Sequence, residues 1–238
     1  YMTWEEVIQL AQHFPTENED GEPLYGLSTY IESLGPFIYI TDMANARNLP
    51  MIDEVNRIVT MDTPEWREIW EHVIPAMQAG HIHLTLEGMV ENHPFDQGQA
   101  AMIHSNLSTA YRLEKQKDSD KYVNWDMVTL PLNPRKEPKT SSYILTSAYG
   151  IPIASQHKEE AWDLLKFILN RNQPPTELAG RSLEPLYALE YDSEPGHDPM
   201  YWGLLNELRR LASEELMLVV QGEKTIDDAL QSLQANGQ

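Results

Sequence analysis

The sequence predicts an α/β fold in which helices and short strands pack in layers around an apolar core. Two observations carry this prediction. Segments with apolar residues at helical spacing alternate along the chain with short extended runs. Residues that commonly cap helix N-termini, such as Thr3 and Thr225, precede several of the helical segments. With 238 residues, the chain can form one large domain or two small ones.

The first half of the chain predicts three helices and one strand. Thr3 and Glu6 form a capping-box pattern, and Leu10 belongs to the expected apolar face of the helix that follows. Thr63 precedes a proline at the first helical position, which is a strong helix start. In order, we predict a helix at 4–14, a loop at 15–23, a strand at 24–30, a helix after Gly35-Pro36, and a helix from Pro64 to Gly80.

The second half continues the alternation of strands and helices. Ser155 caps a predicted helix whose inward residues include Leu164, and Thr225 with Asp228 forms another capping box. In order, we predict a strand at 100–104, a helix from near Ser108, a strand at 123–130, a linker at 133–141, an extended run at 143–153, a helix at 158–170, and helices that begin at Pro199 and Thr225.

The composition excludes several classes of function. The chain has 37 acidic and 17 basic residues, a formal net charge of −20, and such a surface repels nucleic-acid phosphates and anionic membranes. We therefore expect no nucleic-acid partner. The absence of cysteine rules out disulfides, thiolate catalysis and cysteine-bound zinc. No apolar run approaches the ~20 residues that a membrane-spanning helix needs.

Five landmarks occur in a fixed order along the chain. They are Thr3-Trp-Glu-Glu6, Phe95-Asp-Gln-Gly-Gln-Ala-Ala-Met102, Trp125-Asp-Met-Val-Thr-Leu-Pro131, Tyr149-Gly-Ile151 before Ser155, and Gly222-Glu-Lys-Thr-Ile-Asp-Asp-Ala-Leu230. By these landmarks the sequence resembles the extracytoplasmic solute-binding proteins of ABC importers, of the maltose-binding-protein-like family. The resemblance implies a periplasmic-binding-protein-like fold of type II, with a small hairpin within 44–62.

The resemblance also implies how the chain divides into lobes. Residues 1–140 would form the main part of lobe two. Residues 141–196 would form the hinge crossover and the return segment of lobe one, and residues 197–238 would form helices that pack on lobe two. The family's opening helix normally lies well inside the full protein, so this chain is expected to lack most of lobe one at its N-terminal side.

Candidate ligand-binding residues follow the predicted strands. Ligands of open α/β sheets lie beyond the strand ends, where helix N-termini offer free N–H donors. The resemblance departs after the strand at 100–104, where Leu107-Ser108 replace a glycine and a sugar-stacking tryptophan. The candidates are Tyr30, Glu32, Ser105, Asn106, Tyr143, Ser147 and Trp202.

Each candidate also has an ordinary structural interpretation, and the sequence leaves both open. Ser105 and Asn106 suit a loop and a helix cap. Tyr30 and Tyr143 suit strand packing, and Trp202 fits the apolar stripe of its helix.

The resemblance implies capture of a small solute, with a carbohydrate as the leading class. Two lobes would close on the ligand and deliver it to a membrane permease, with no reaction on the ligand and no cofactor. The protein would be a monomer outside the cytoplasmic membrane, either periplasmic or anchored as a lipoprotein.

Two other classes of function stay open at this point. One is a glycan-active α/β enzyme, which needs two carboxyl groups held apart across a cleft. The other is a sensor domain that reuses the binding-protein fold. A metal site is not expected, because His81, His83 and His93 with Glu87 match no zinc-binding spacing. No nucleophile elbow, phosphate loop or dinucleotide motif is present.

Overall fold

The structure is a computed structural model. It describes residues 2–29, 35–53, 55–84, 93–116, 123–128, 130–131, 150–171, 177–178, 181–182 and 199–236. At 169–171, 177–178, 181–182, 199–202 and 236 the description is of the backbone only.

The described chain alternates helices and short strands, as the sequence predicts. The first part contains α1 (Trp4–Ala11), β1 (Tyr25–Thr29), α2 (Phe37–Ala46), β2 (Ile52–Asp53), β3 (Ile58–Val59) and α3 (Pro64–Gln78). The second part contains β4 (Ala100–His104), α4 (Leu107–Lys115), α5 (Lys158–Arg171), β5 (Glu177–Leu178), β6 (Arg181–Ser182), α6 (Pro199–Val220) and α7 (Ile226–Asn236).

Strands β1 and β4 pair in parallel, which brings their carboxyl ends to one edge of the sheet. The register runs from Tyr25 opposite Ala100 to Thr29 opposite His104. Ile82 makes a parallel bridge to Leu27, so β1 has partners on both sides. Both strands lie where the sequence predicts them. The small hairpin implied by the resemblance is also present, as the antiparallel pair of β2 and β3.

The core lies where α1, α2, α3, α6 and α7 pack around this sheet. Helix α3 begins as predicted, because the Thr63 hydroxyl accepts the N–H of Trp66 at 3.4 Å and Pro64 occupies the first turn. Its buried residues are Trp66, Ile69, Trp70, Val73, Ile74, Ala76 and Met77. The apolar residues at helical spacing in α3 therefore form one buried stripe.

Helix α1 is shorter than predicted and turns a different face inward. The capping box of Thr3 and Glu6 is present. The helix ends at Ala11, however, and Leu10 is 37% exposed. Trp4, Ile8 and Ala11 are the buried residues, because the large indole of Trp4 directs the packing and its helical neighbours follow at i+4 and i+7.

The predicted strand at 123–130 is wrong for the residues described. Residues 123–128 and 130 have no regular secondary structure. Trp125 and Met127 instead pack against α4, beside Leu107 and Ala110. The alternation of apolar residues therefore reflects packing on a helix and not pairing with another strand.

Other predictions fall wholly or partly outside the described residues. These are the linker at 133–141, the first part of the extended run at 143–153 and the proposed boundary near 140. Among the described residues, no helix combines the length and the apolar character needed to cross a membrane.

Candidate functional site

The candidate site is the carboxyl edge of the sheet, defined here as Thr29 with His104, Ser105 and Asn106. Thr29 and His104 are the last paired residues of β1 and β4. Ser105 and Asn106 follow directly and lead into α4. The strand ends and a helix N-terminus therefore meet at one place, which is the position where open α/β sheets bind ligands.

Asn106 is the N-cap of α4. Its carboxamide oxygen accepts the backbone N–H of Ser108 at 3.0 Å and of Thr109 at 3.3 Å, and it also accepts the Ser108 hydroxyl. The side chain is exposed, and its NH2 group donates no hydrogen bond to any described residue. The cap interpretation is confirmed, while the NH2 group remains able to donate outward.

Ser105 completes the same turn. Its hydroxyl donates to the Thr109 hydroxyl at 2.6 Å, and Thr109 is buried under the first turn of α4. Two consecutive polar residues therefore hold the helix start from both sides. This turn presents one amide group and one hydroxyl oxygen at the sheet edge.

A buried acid–base pair supports this edge from below. His104 Nε2 lies 3.2 Å from Asp42 Oδ2 on α2, and the two side chains are only 3% and 10% exposed. The rings of Trp4 and Tyr39 pack on the imidazole at centroid distances of 5.3 and 5.9 Å. The edge is thereby fixed to α1 and α2.

Burial governs how both members of this pair titrate. Burial lowers the pKa of His104 to about 4. It raises the pKa of Asp42 to about 7, although the positive charge of Arg209 on α6 acts in the opposite direction. Both shifts favour the uncharged form of each group, as expected where water is excluded.

His93 holds the end of β1 in a similar way. Its Nε2–H donates to the carbonyl of Thr29 at 2.9 Å, and its Nδ1 accepts the N–H of Phe95 at 3.2 Å. This arrangement requires the neutral ring, and burial accordingly lowers the pKa of His93. The bidentate pair of Asp96 with Arg112, at 2.8 and 3.1 Å, ties the following turn to α4.

His83 and His93 near β1 form an aromatic cluster with Tyr25. The His83 ring packs edge-on against Tyr25 and His93, at centroid distances of 4.7 and 6.2 Å. In the part of the chain that the structure describes, no three histidine, aspartate or glutamate side chains are grouped to hold a metal ion. His81 is among the described residues, whereas Glu87 is outside them.

Comparisons with known proteins rest on structure. No protein-family model matches the sequence, and neither does any curated protein. An ABC transporter solute-binding protein from Agrobacterium vitis, solved with bound D-mannitol, is 17% identical with a TM-score of 0.62. The match covers 99% of this chain and 64% of that one.

Two further solved solute-binding proteins also match nearly the whole chain. An ABC substrate-binding protein from Listeria monocytogenes, in complex with cycloalternan, is 17% identical with a TM-score of 0.62, over 99% of this chain and 62% of that one. A solute-binding protein from Thermotoga lettingae, bound to α-D-tagatose, is 14% identical with a TM-score of 0.56, over 99% and 64%. The chain has the periplasmic-binding-protein fold.

Identities this low establish the fold alone. The chain spans less than two thirds of the length of these solved proteins, while nearly all of it is matched. The expected fold class is confirmed.

The structure describes the side chains of only some of the predicted site residues. Ser105 and Asn106 lie together at the carboxyl edge. Trp202 lies in α6, where the description is of the backbone only. Tyr30, Glu32, Tyr143 and Ser147 lie outside the described residues, although Tyr30 directly follows Thr29 at this edge.

Three polar residues around this edge were not predicted: Asp42, His93 and His104. Each is buried. One sequence signal was available for Asp42, because it is the one charged residue in the otherwise uncharged and mostly apolar segment Phe37–Ala46. A lone carboxylate in such a helix needs a partner once it is buried. Its partner His104 is remote in sequence, so the pairing itself had no local signal.

Proposed function

We propose that this chain is the ligand-capturing part of an extracytoplasmic solute-binding protein of an ABC importer, and that its ligand is a carbohydrate. One observation carries the proposal. Solved solute-binding proteins match almost the entire chain, and the three described above were solved with D-mannitol, cycloalternan and α-D-tagatose bound. These ligands share a dense array of hydroxyl groups, which calls for side chains that both donate and accept hydrogen bonds.

The carboxyl edge provides groups of this kind. The exposed NH2 group of Asn106 donates and the Ser105 hydroxyl oxygen accepts, both at the start of α4. We place the ligand here. We further propose that Tyr30, Glu32, Tyr143, Ser147 and Trp202 contribute to the same site, with the aromatic rings against the C–H faces of the sugar.

The function of the whole protein follows from the same proposal. Residues 1–140 would supply most of lobe two and residues 141–196 the crossover to lobe one, with 197–238 packed on lobe two. Ligand binding would close the two lobes, and the closed form would dock on a membrane permease. The protein would act as a monomer outside the cytoplasmic membrane, in the periplasm or as a lipoprotein.

No observation favours an enzyme or a sensor. The acid–base pair of His104 and Asp42 is buried and cannot reach a substrate in this conformation. Turnover of chromogenic glycosides by the intact protein, abolished by replacing a single carboxylate, would overturn the binding-protein proposal in favour of an enzyme.

A pair of substitutions at Asn106 tests the ligand site, because it separates the two uses of this side chain. Asn106→Asp keeps the oxygen that caps α4 but removes the NH2 donor. Asn106→Ala removes both. If the NH2 group binds the ligand, both variants lose about ten- to hundredfold in affinity, which corresponds to about 1–3 kcal/mol.

The stability of the ligand-free protein distinguishes the variants. Asn106→Ala should lower the free energy of unfolding by about 1 kcal/mol, whereas Asn106→Asp should leave it nearly unchanged. Titration calorimetry with D-mannitol, D-tagatose and a cyclic glucan, after a thermal-shift screen of the intact protein, gives the affinities. Wild-type affinity in Asn106→Asp would remove this residue from the site, and absence of binding to every carbohydrate tried, with binding to an amino acid or polyamine, would overturn the ligand class.

A further inference from the structure

The buried pair beneath the carboxyl edge has a feature that binding alone does not require. His104 Nε2 faces Asp42, but the other ring nitrogen, Nδ1, is buried without a hydrogen-bond partner among the described residues. Trp4 Nε1 and the Tyr39 hydroxyl are also buried without a hydrogen-bond partner among the described residues. Their rings pack on His104 and on each other. Polar atoms buried in this way are rare in folded proteins and call for an explanation.

We propose that His104 and Asp42 form a positioning pair which takes up one proton at His104 Nδ1, and that this proton loosens the hold on Ser105 and Asn106. His104 is the last residue of β4 and precedes these two residues directly. The pair is therefore a contact that connects α2 with the strand end leading into α4. The consequence for ligand affinity rests on the proposed function, whereas the proton uptake does not.

The proton balance follows from the geometry. In the unprotonated state, Nε2–H donates to the Asp42 carboxylate and Nδ1 carries only a lone pair. An added proton binds Nδ1. The bridging proton then lies between Nε2 and Oδ2, either as an ion pair or, after moving to Oδ2, as a neutral carboxyl group facing a neutral ring. In both forms the pair has gained one proton, and Nδ1 has become an N–H donor.

The neighbouring groups decide where the uptake falls and what it does. Trp4 from α1 and Tyr39 from α2 add no charge at neutral pH, while Arg209 from α6 attracts the Asp42 carboxylate. Burial raises the pKa of Asp42 to about 7, so the pair takes up its proton as the pH falls through neutrality. Burial favours the neutral form of each group, so the proton moves to Oδ2 of Asp42, and the charge-assisted hydrogen bond and the attraction to Arg209 both weaken.

Nuclear magnetic resonance of the ligand-free protein, labelled with 15N in histidine and 13C in aspartate, tests the uptake without any variant. Above pH 8, we expect one His104 ring nitrogen to carry a proton and the other to be bare. As the pH falls through about 7, the bare nitrogen should become protonated while the Asp42 carboxyl carbon shifts with the same midpoint. A His104 ring that titrates independently of Asp42, or an Asp42 that titrates as an ordinary aspartate, would overturn the proposal.

Amide hydrogen exchange tests the positioning role. After correction for intrinsic rates, the Ser108 and Thr109 amides should exchange several-fold faster at pH 6 than at pH 8. Asp42→Asn, which cannot become charged, should give the faster exchange at both pH values. Asp53→Asn is the control, because it likewise removes one carboxylate charge, but from the β2–β3 hairpin and not from the pair with His104. Equal exchange at both pH values in the wild type would exclude the coupling even where the titration is as expected.

Ligand affinity separates this inference from the proposed function. If both hold, the affinity for the carbohydrate found in the thermal-shift screen is several-fold higher at pH 8 than at pH 6, and Asp42→Asn abolishes the difference. If no carbohydrate binds, the proposed function fails, but the titration and the exchange data still decide the proton uptake. A carbohydrate bound with equal affinity at both pH values would overturn the effect on the site alone.

Discussion

Helices α3 and α5 have similar lengths and apolar content but opposite surroundings. Each contains seven apolar residues other than proline, in 15 and 14 residues respectively. In α3 all seven are buried, because α1, α2, α6 and α7 pack on it. In α5 none of the described side chains is buried, and Trp162 and Leu164 are 54% and 58% exposed. Leu164 was predicted to point inward, so this expectation is wrong for the described structure.

The contrast shows what helical periodicity does and does not determine. The spacing of apolar residues defines a face that gains free energy when it is covered. Whether it is covered depends on which other elements the chain brings alongside. Within the described ranges, no other helix or strand packs extensively along α5. The same pattern therefore predicts a core helix correctly in one place and incorrectly in another.

The largest expected effect comes from comparing a tryptophan on each helix. Trp70 of α3 is completely buried against Phe37, whereas Trp162 of α5 is half exposed. Trp70→Ala should lower the free energy of unfolding by about 3–5 kcal/mol through the lost burial and the cavity left behind. Trp162→Ala should change it by less than about 0.5 kcal/mol.

Urea unfolding of the 238-residue chain measures both. Only Trp70→Ala removes fully buried surface, so only this variant should lose a large part of its free energy of unfolding. Equal losses in the two variants would mean that α5 is as well covered as α3, and the contrast between the helices would then fail.

A second comparison uses two glycines. A Cβ on Gly26 of β1 would lie 2.1 Å from the backbone oxygen of Ala11, at the end of α1, so the strand and helix would have to separate. For Gly150, which precedes α5, no atom of the described residues lies within 4 Å of such a Cβ. Gly26→Ala should therefore destabilise the chain by about 1–3 kcal/mol. Gly150→Ala should be neutral or slightly stabilising, because it restricts the unfolded chain.

Thermal unfolding of the two alanine variants checks this expectation. A Gly26→Ala protein with wild-type stability would mean that α1 does not pack closely on β1. Since Trp4 of α1 also contacts His104, the same result would weaken the account of the carboxyl edge.

The parts of the fold that the sequence predicted have local causes. Thr3, Thr63 and Thr225 begin helices because their hydroxyls accept N–H groups of the first turn. The strands at 25–29 and 100–104 were predicted from short extended runs bounded by turn residues. The segment at 123–128 was mistaken for a strand because alternation also arises where an irregular segment packs Trp125 and Met127 on a helix.

The candidate site was predictable to a smaller extent. Asn106 was identified from its place after a strand, and the sequence left open whether it is a cap or a ligand-binding residue. The structure shows that it is a cap, so Asn106→Ala is expected to lower stability as well as affinity. The pair of His104 and Asp42 could not be predicted, because long-range contacts between single residues depend on how β4 and α2 pack.

The last comparison concerns two histidines and the pH dependence of stability. His83 is buried beside Tyr25 and His93, and burial lowers its pKa to about 4 from an ordinary value of 6.5. His157, just before α5, has an exposed side chain.

As the pH falls from about 6.5 to 4, the unfolded chain binds a proton at residue 83 that the folded chain does not, so stability falls. One such group adds a slope of at most about 1.4 kcal/mol per pH unit. His83→Gln should flatten the pH dependence of the unfolding free energy over this window, and His157→Gln, which removes an exposed histidine, is the control. Urea unfolding at half-unit pH steps decides between them: an unchanged slope in His83→Gln would mean that residue 83 is protonated as readily in the folded chain as in the unfolded one.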